Sequence, residues 1–153
     1  DGGKTAAIND AGTKTIWGNM ATVRMGLSSG FTHNSTGNWV AVSWDSEDED
    51  WGQIWQGANP TRFTFTTGGL INLKANIEFD ADATGERGIR FILDGATVIA
   101  QKLVDARTAA TFLCLSTKYK VDPGSYIELE IYQDSGGDLD LDGNCHASAI
   151  GQP

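Results

Sequence analysis

Three aspartates spaced two residues apart form the part of this sequence best suited to bind a metal ion. Asp138, Asp140 and Asp142 are followed at once by Gly143. This pattern resembles the opening of a calcium-binding loop, which has oxygen ligands at positions 1, 3 and 5, glycine at position 6 and a bidentate acid at position 12. Position 12 is Ala149 here, so a helix-loop-helix calcium site is excluded.

The same three aspartates have a second interpretation as one face of a β-strand. Side chains of a strand alternate between its two faces, so Asp138, Asp140 and Asp142 would lie opposite Leu139 and Leu141. Three like charges in a row are unfavourable unless water solvates them or a cation binds them. The sequence therefore leaves two alternatives. One is a solvated acidic strand face with its leucines in the core, and the other is a calcium site, which three copies near an axis could also build.

A second group of residues that could bind a ligand lies in the segment 45–60, which is acidic and contains two tryptophans. Asp48 and Asp50 belong to a run of acids that could hold a cation or meet a basic partner, although such runs are usually solvated. Trp51 and Trp55 could stack on a sugar ring or pack in a subunit interface. Because the segment shows no periodicity, we expect a long loop with a binding or packing role.

Nucleophilic catalysis has little support in the sequence. The stretch 26–30, Gly-Leu-Ser-Ser-Gly, matches the nucleophile-elbow pattern, but the residues after it are a poor start for the helix that the motif requires. Cys145 and His146 are adjacent, so on a strand their side chains would point apart. We therefore expect no enzymatic activity. Cys114 and Cys145 could form a disulfide if their strands are neighbours, and the sequence leaves this open.

The composition indicates one acidic, compact domain. The chain has 153 residues, of which 40% are hydrophobic, and 19 glycines, which is typical of a single all-β domain. Its net charge of −9 argues against binding to nucleic-acid phosphates, which needs a basic face. No apolar run approaches the roughly 18 residues that span a bilayer. We predict a polar arm or linker over residues 1–14, a folded domain over residues 15–153, and no nucleic-acid or membrane partner.

Short strands separated by turns must position these residues. Residues 69–79 alternate with a period of two, which predicts a strand with one face in the core. Asp94-Gly95 between apolar runs indicates a two-residue hairpin, and Asp122-Pro123-Gly124 indicates a second turn. Residues 139–141 and 146–150 could supply the last strand. About eight to ten short strands at this spacing predict a sandwich, jelly roll or barrel.

Several motifs, in the order in which they occur, resemble the jelly-roll heads of the tumour necrosis factor and complement globular-head superfamily. They are most similar to its bacterial and bacteriophage branch. Asn59-Pro60-Thr61-Arg62 leads into a strand, and Thr67-Gly68-Gly69 turns into a long strand. A hairpin then closes with LDGATVIA, and VDPGSYIELEIYQDSGG is similar to the family's penultimate strand and turn. The resemblance covers roughly residues 38–142.

The resemblance implies an antiparallel ten-stranded jelly-roll β-sandwich that assembles as a homotrimer. It places Phe112, Tyr126 and Tyr132 on the strands that would face the threefold axis. The chain departs from the family pattern at its end, where GNCHASAIGQP stands in place of an apolar final strand. We therefore expect the geometry of the last strand, and the packing near the threefold axis, to differ from the family pattern.

The resemblance also implies a structural function, because heads of this branch occur as capsid decoration proteins and as fibre tips. We expect a homotrimeric decoration or cement protein on the outside of a bacteriophage capsid, where it contacts the major capsid protein and stabilises the head. The alternative is the receptor- or glycan-binding head of a tail or head fibre, with Trp51, Trp55, Asp48 and Asp50 as contacts to a host glycan. No cofactor is expected, apart from calcium if the aspartates bind it.

Overall fold

The computed structural model describes residues 6–8, 14–16, 21–34 and 36–151. Within these ranges the chain forms fourteen strands and no helix. The strands are β1 (Ala6–Ile8), β2 (Lys14–Ile16), β3 (Thr22–Gly26), β4 (Phe31–His33), β5 (Asn38–Ala41), β6 (Ser46–Trp51), β7 (Arg62–Thr64), β8 (Gly69–Phe79), β9 (Asp82–Leu93), β10 (Thr97–Arg107), β11 (Thr111–Val121), β12 (Tyr126–Gln133), β13 (Leu139–Leu141) and β14 (His146–Gly151).

Two antiparallel sheets pack face to face around one core. The seven-stranded sheet has the order β4-β13-β8-β14-β3-β6, and β11 pairs with the other side of β8. The five-stranded sheet has the order β10-β9-β12-β5, and β7 also pairs with β12. β1 and β2 pair only with each other in the described part of the chain. The strands β10 and β11 therefore end the two sheets, and they lie beside each other.

The core follows from the alternation of side chains along the strands. The period of two predicted for residues 69–79 is confirmed, because β8 buries every second side chain. The buried residues of β8 are Ile71, Leu73, Ala75, Ile77 and Phe79. They share one cluster with the inward-facing Ile127, Leu129 and Ile131 of β12. Burial of each large apolar side chain contributes about 1.5–3 kcal/mol to folding.

Both predicted turns are present. Asp94 and Gly95 have φ values of 51° and 67°, and the Ala96 N–H donates to the Leu93 carbonyl at 3.0 Å. Positive φ at both central residues is the geometry that matches the twist of a hairpin. The second turn closes with a hydrogen bond of 3.2 Å from the Ser125 N–H to the Asp122 carbonyl.

The atypical end of the sequence forms a central strand. Residues 139–141 and 146–150 give two strands, β13 and β14, rather than one. β14 lies between β3 and β8, and its inward residues Ala147 and Ala149 are fully buried. Small side chains suit this position because both neighbouring strands crowd it.

The prediction of a loop over residues 45–60 is wrong for its first part. Residues 46–51 form β6, which pairs with β3 from Thr22 opposite Trp51 to Gly26 opposite Ser46. Most side chains of β6 are exposed, because the strand lies at the edge of the sheet. A strand whose two faces are both exposed to solvent has no alternation of apolar and polar residues, so its sequence does not indicate a strand.

The strand count also differs from the predicted ten. Five of the fourteen strands in the described ranges, namely β1, β2, β4, β7 and β13, have only three residues. Such short strands carry no repeat that could reveal them in the sequence. The predicted arm over residues 1–14 lies mostly outside the described residues. No helix within the described ranges is long and apolar enough to cross a membrane.

Candidate functional site

The three predicted metal ligands lie along β13 and the turn after it. Leu139 and Leu141 are buried, with 6% and 2% of their surface exposed, whereas Asp140 between them is exposed. Asp138 precedes the strand and is also exposed. The predicted alternation is therefore confirmed for the leucines and for Asp140.

Asp142 caps the turn between β13 and β14. Its Oδ1 atom accepts hydrogen bonds from the backbone N–H and the side-chain amide of Asn144, both at 2.7 Å.

Glu78 lies close to Asp142. Loss of hydration raises the pKa of the Glu78 carboxyl, and the like charges of Asp142 and Asp80 raise it further. Within the described ranges no group of three or more His, Cys, Asp or Glu side chains is arranged to hold a metal ion. Calcium binding by the three aspartates stays a prediction.

The acidic run lies on β6, the outermost strand of the seven-stranded sheet. Asp48 forms an ion pair with Arg24 at 3.3 Å, and both side chains are more than half exposed. Exposed pairs of this kind contribute about 0–1 kcal/mol. Asp45, just before β6, accepts hydrogen bonds from the Ser28 N–H at 2.6 Å and from the hydroxyls of Ser28 and Ser29. The bond from the Ser28 N–H is the main cause that lowers the pKa of Asp45.

Asp50 organises the loop between β6 and β7. Its two carboxylate oxygens accept hydrogen bonds from the N–H groups of Ile54 at 2.9 Å and of Trp55 at 3.0 Å. The indole N–H of Trp55 donates to the Pro60 carbonyl at 3.0 Å, which fixes the ring. An open cleft of about 440 Å³ lies beside the ring and is lined by Glu47, Asp50, Gln53, Trp55 and Gln56.

The structure separates the two tryptophans that the sequence grouped together. Trp55 is half-buried and lines the cleft, whereas Trp51 lies at the end of β6 with 61% of its surface exposed. Trp51 is therefore free to contact another molecule from the outer side of the sheet. The cleft itself offers one indole face with carboxylate and amide groups around it.

The structure does not bring the three predicted interface residues together. Phe112 points outward from β11 in the seven-stranded sheet and is 67% exposed. Tyr126 and Tyr132 point outward from β12 in the five-stranded sheet, on the opposite side of the sandwich. Tyr126 lies under the guanidinium of Arg62, 4.0 Å from the ring centre. Phe112 and the two tyrosines therefore lie on different faces of one chain, and their place in a trimer interface stays a prediction.

An aromatic cluster on the outer face of the five-stranded sheet was not predicted from the sequence. The rings of Trp39 and Tyr132 lie 5.3 Å apart, and the Arg90 guanidinium lies 4.4 Å from the Trp39 ring. Arg90 Nε also donates to Glu130 at 2.6 Å. These residues come from β5, β9 and β12, so only the strand register reveals their contact. A Cβ placed on Gly88 would lie 2.8 Å from Trp39, so the cluster covers this glycine closely.

Exposed apolar side chains concentrate along the two strands that end the sheets. Val98 and Leu103 on β10 are 43% and 42% exposed, and Phe112 on β11 is 67% exposed. Phe112 also lines a cleft of about 180 Å³ together with residues of β8 and Asn144. Large exposed apolar groups on neighbouring edges are typical of an interaction surface.

The two cysteines are not linked. Cys114 is exposed on β11, whereas Cys145 is buried with 2% of its surface exposed. Burial raises the pKa of the Cys145 thiol to about 11, so it is protonated at neutral pH. His146 points to the other side of the strand, where Asn76 Nδ2 and His146 Nε2 are 2.8 Å apart. Cys145 and His146 therefore do not form a catalytic pair.

Comparison with known proteins finds likeness in fold alone. No protein-family model matches the chain, and no curated protein matches it. The solved structure of murine APRIL at pH 5.0 is similar with a TM-score of 0.68 and 11% identity, over 87% of this chain and 99% of that one. The globular domain of zebrafish complement 1qA is similar with a TM-score of 0.61 and 10% identity, over 86% of this chain and 95% of that one. The fold is thus the all-β jelly roll of the tumour necrosis factor and complement globular-head type.

Proposed function

We propose that this chain is a non-catalytic head protein that assembles as a homotrimer and decorates the outside of a bacteriophage capsid. The main support for a trimer is that β10 and β11 each form the edge of a sheet and are each eleven residues long. Long exposed edge strands with apolar side chains invite association. In a closed ring of three copies such edges are covered, and no further pairing follows.

The position of Phe112 supports burial of the β11 edge in the trimer. This ring is two-thirds exposed in the single chain, and it lies next to a cleft of about 180 Å³ formed partly by β8. Aromatic side chains in well-packed pockets contribute most to the stability of interfaces. The family resemblance of the sequence supports the same assembly, since jelly-roll heads of that superfamily are expected to be trimers.

The trimer is tested by native mass from light scattering. We expect three times the 16.3 kDa of the chain. Phe112→Asp should shift the protein to the monomer without changing its circular dichroism, because the side chain is exposed and does not support the core. Gln56→Asp, which adds the same charge in the exposed β6–β7 loop, is the control and should stay trimeric. A monomeric parent protein, or a trimeric Phe112→Asp variant, would contradict the proposal.

The decoration function is tested on the virus that encodes the chain. An antibody against the purified protein should label the outside of intact capsids in electron micrographs. Virions that lack the protein should release their DNA at a lower temperature, because a cement protein stabilises neighbouring capsid subunits. Labelling of the tail fibres instead, with heads of unchanged heat stability, would favour the second candidate below.

The second candidate is a glycan-binding fibre head, and the cleft beside Trp55 favours it. A fixed indole face with carboxylate and amide groups around it can stack on a sugar ring and hydrogen-bond its hydroxyls. Binding should change the tryptophan fluorescence when a panel of bacterial surface glycans is titrated. The change should persist in Trp51→Phe and disappear in Trp55→Phe, which keeps an aromatic ring in the loop but removes the indole. Absence of binding across the panel would reject this candidate.

A further inference from the structure

Positive charge collects at one end of the outer face of the seven-stranded sheet. Lys74 on β8 and Lys118 and Lys120 on β11 are all exposed and point to this face, and we call these three residues the lysine face. The ion pairs formed among the described residues all involve arginines. The lysine face therefore has no acidic partner within 4 Å in the described part of its own chain, although the protein carries a net charge of −9.

Negative charge collects on the opposite edge of the same sheet. Glu47, Asp48 and Glu49 on β6 are exposed, and we call them the acidic edge. Arg24 pairs with Asp48 and leaves the two glutamates without an ion pair in the described ranges. The backbone of β6 pairs with β3 on one side only. The acidic edge is therefore open to a partner from outside the sheet.

The two charged regions cannot neutralise each other within one molecule. Four strand-to-strand steps separate β6 from β11 by way of β3, β14 and β8. At about 4.8 Å a step this is about 19 Å. Charges so far apart are screened from each other at physiological salt, where the Debye length is about 8 Å. Neutralisation requires a second molecule.

An exposed apolar residue accompanies each charged region. Leu70 lies opposite Lys120 in the β8–β11 register and is 44% exposed. Trp51 ends the acidic strand and is 61% exposed. Each region therefore combines charge with one apolar anchor, the composition expected of the two halves of an interface.

We propose that the acidic edge of one copy docks on the lysine face of a second copy. The two surfaces differ, so the contact is head-to-tail, and a contact of this type closes into a ring of three when each copy is rotated by a third of a turn from the next. This inference rests on the proposed homotrimer and names surfaces that meet within it. The β11 edge that carries Phe112 also carries Lys118 and Lys120, so one strand supplies both the apolar and the charged contact.

Such a contact mainly fixes how two copies are placed relative to each other and increases the rate at which they associate. Exposed charge pairs add little affinity each, but complementary potentials steer the encounter and reject wrong orientations. Dissociation of the trimer should therefore become easier as salt is added. An interface held by apolar contacts alone would respond weakly or in the opposite direction.

Charge reversal and its repair test the proposal. Native mass is measured over a dilution series for the parent, for Lys118→Glu with Lys120→Glu, for Glu47→Lys with Glu49→Lys, and for the variant with all four changes. Each two-residue variant should dissociate at a concentration about tenfold higher than the parent. The four-residue variant should return to within about threefold of the parent. Glu86→Lys, which reverses one exposed acid on β9 away from both charged regions, is the control and should behave like the parent.

The outcomes separate this inference from the trimer itself. A parent protein that is monomeric at every concentration overturns both. A trimeric parent whose two-residue variants also stay trimeric overturns the docking of these two surfaces and leaves the trimer intact. Failure of the four-residue variant to recover, while circular dichroism shows it folded, overturns the pairing as well. If a variant does not fold, the parent alone still decides, because a trimer indifferent to salt between about 50 mM and about 500 mM contradicts the proposal.

Discussion

At the scale of single residues, Gly88 shows how closely the outer face of the five-stranded sheet is packed. A Cβ at this position would meet Leu103 and Trp39 at 2.8 Å and Tyr132 at 3.2 Å. We expect Gly88→Ala to lower the free energy of unfolding by about 1–3 kcal/mol, because three side chains must move. Gly137→Ala is the control, since nothing lies within 4 Å of its Cβ and its backbone is not strained. Equal urea midpoints for the two variants would contradict this account.

The carboxyl of Glu78 provides a prediction with a defined pH dependence. Its pKa is raised above 4.5 by loss of hydration and by Asp142 and Asp80, so its ionised form is less favourable in the folded protein than in the unfolded chain. Glu78→Gln should therefore raise the melting temperature at neutral pH. The difference should shrink as pH falls through the raised pKa and should disappear below 4.5, where the carboxyl is protonated in both states. A variant that is less stable at neutral pH would refute the predicted sign.

Burial and turn formation were predictable for residues whose structure follows from the local sequence. The buried face of β8 follows from alternation within residues 69–79, and the hairpin follows from Asp94-Gly95. The contact of Trp39 with Tyr132 joins residues far apart in the sequence. It depends on the pairing of β5 with β12, which no local pattern specifies.

At the scale of elements, the loop between β6 and β7 depends on one side chain. The Asp50 carboxylate holds the N–H groups of Ile54 and Trp55, which positions the indole beside the cleft. Asp50→Ala should lower the free energy of unfolding by about 1–2 kcal/mol, because two partly buried donors lose their acceptor. The fluorescence of Trp55 should also shift to longer wavelength. Asp50→Asn keeps one acceptor oxygen, so it should lower the free energy of unfolding by less than Asp50→Ala does. An equal decrease in both variants would contradict this role.

The elements that the sequence missed share a physical cause. β6 has exposed acids on both faces, and β4 has three residues, so neither produces a repeating apolar signal. Both are held in place by backbone pairing, β6 with β3 and β4 with β13. The spacing of the acids at 138–142 is compatible with both a metal site and a solvated strand face. Side-chain spacing in a strand is identical whether the acids face a cation or water.

At the scale of the whole molecule, the jelly roll was predictable, whereas the faces on which the exposed aromatic side chains lie were not. The order of motifs indicated the fold, and the solved structures with TM-scores of 0.68 and 0.61 agree with it at 11% and 10% identity. Phe112, Tyr126 and Tyr132 were grouped by their strands. The two sheets point them to opposite sides of the sandwich, because β11 and β12 follow each other in the chain but belong to different sheets.

Cys114 offers a direct readout of assembly. It lies on the outer face of β11, two positions from Phe112, and is exposed in the single chain. If this edge is covered in a trimer, the thiol should react slowly with a disulfide reagent such as DTNB at high protein concentration. It should react quickly after dilution below the dissociation concentration. Cys145, buried and with its pKa raised to about 11, should react only on unfolding.

The number of reactive thiols per chain then shows whether the subunit contact covers the β11 face. Dilution should raise the number that react quickly from none to one per chain, and denaturant should raise it to two, the number in the sequence. Cys114→Ser removes the first step and keeps the second, which identifies the residue. A trimer by light scattering whose Cys114 reacts quickly at every concentration would place the subunit contact away from the β11 face. The exposed Val98 and Leu103 on β10 would then mark another surface that could bind a neighbouring copy.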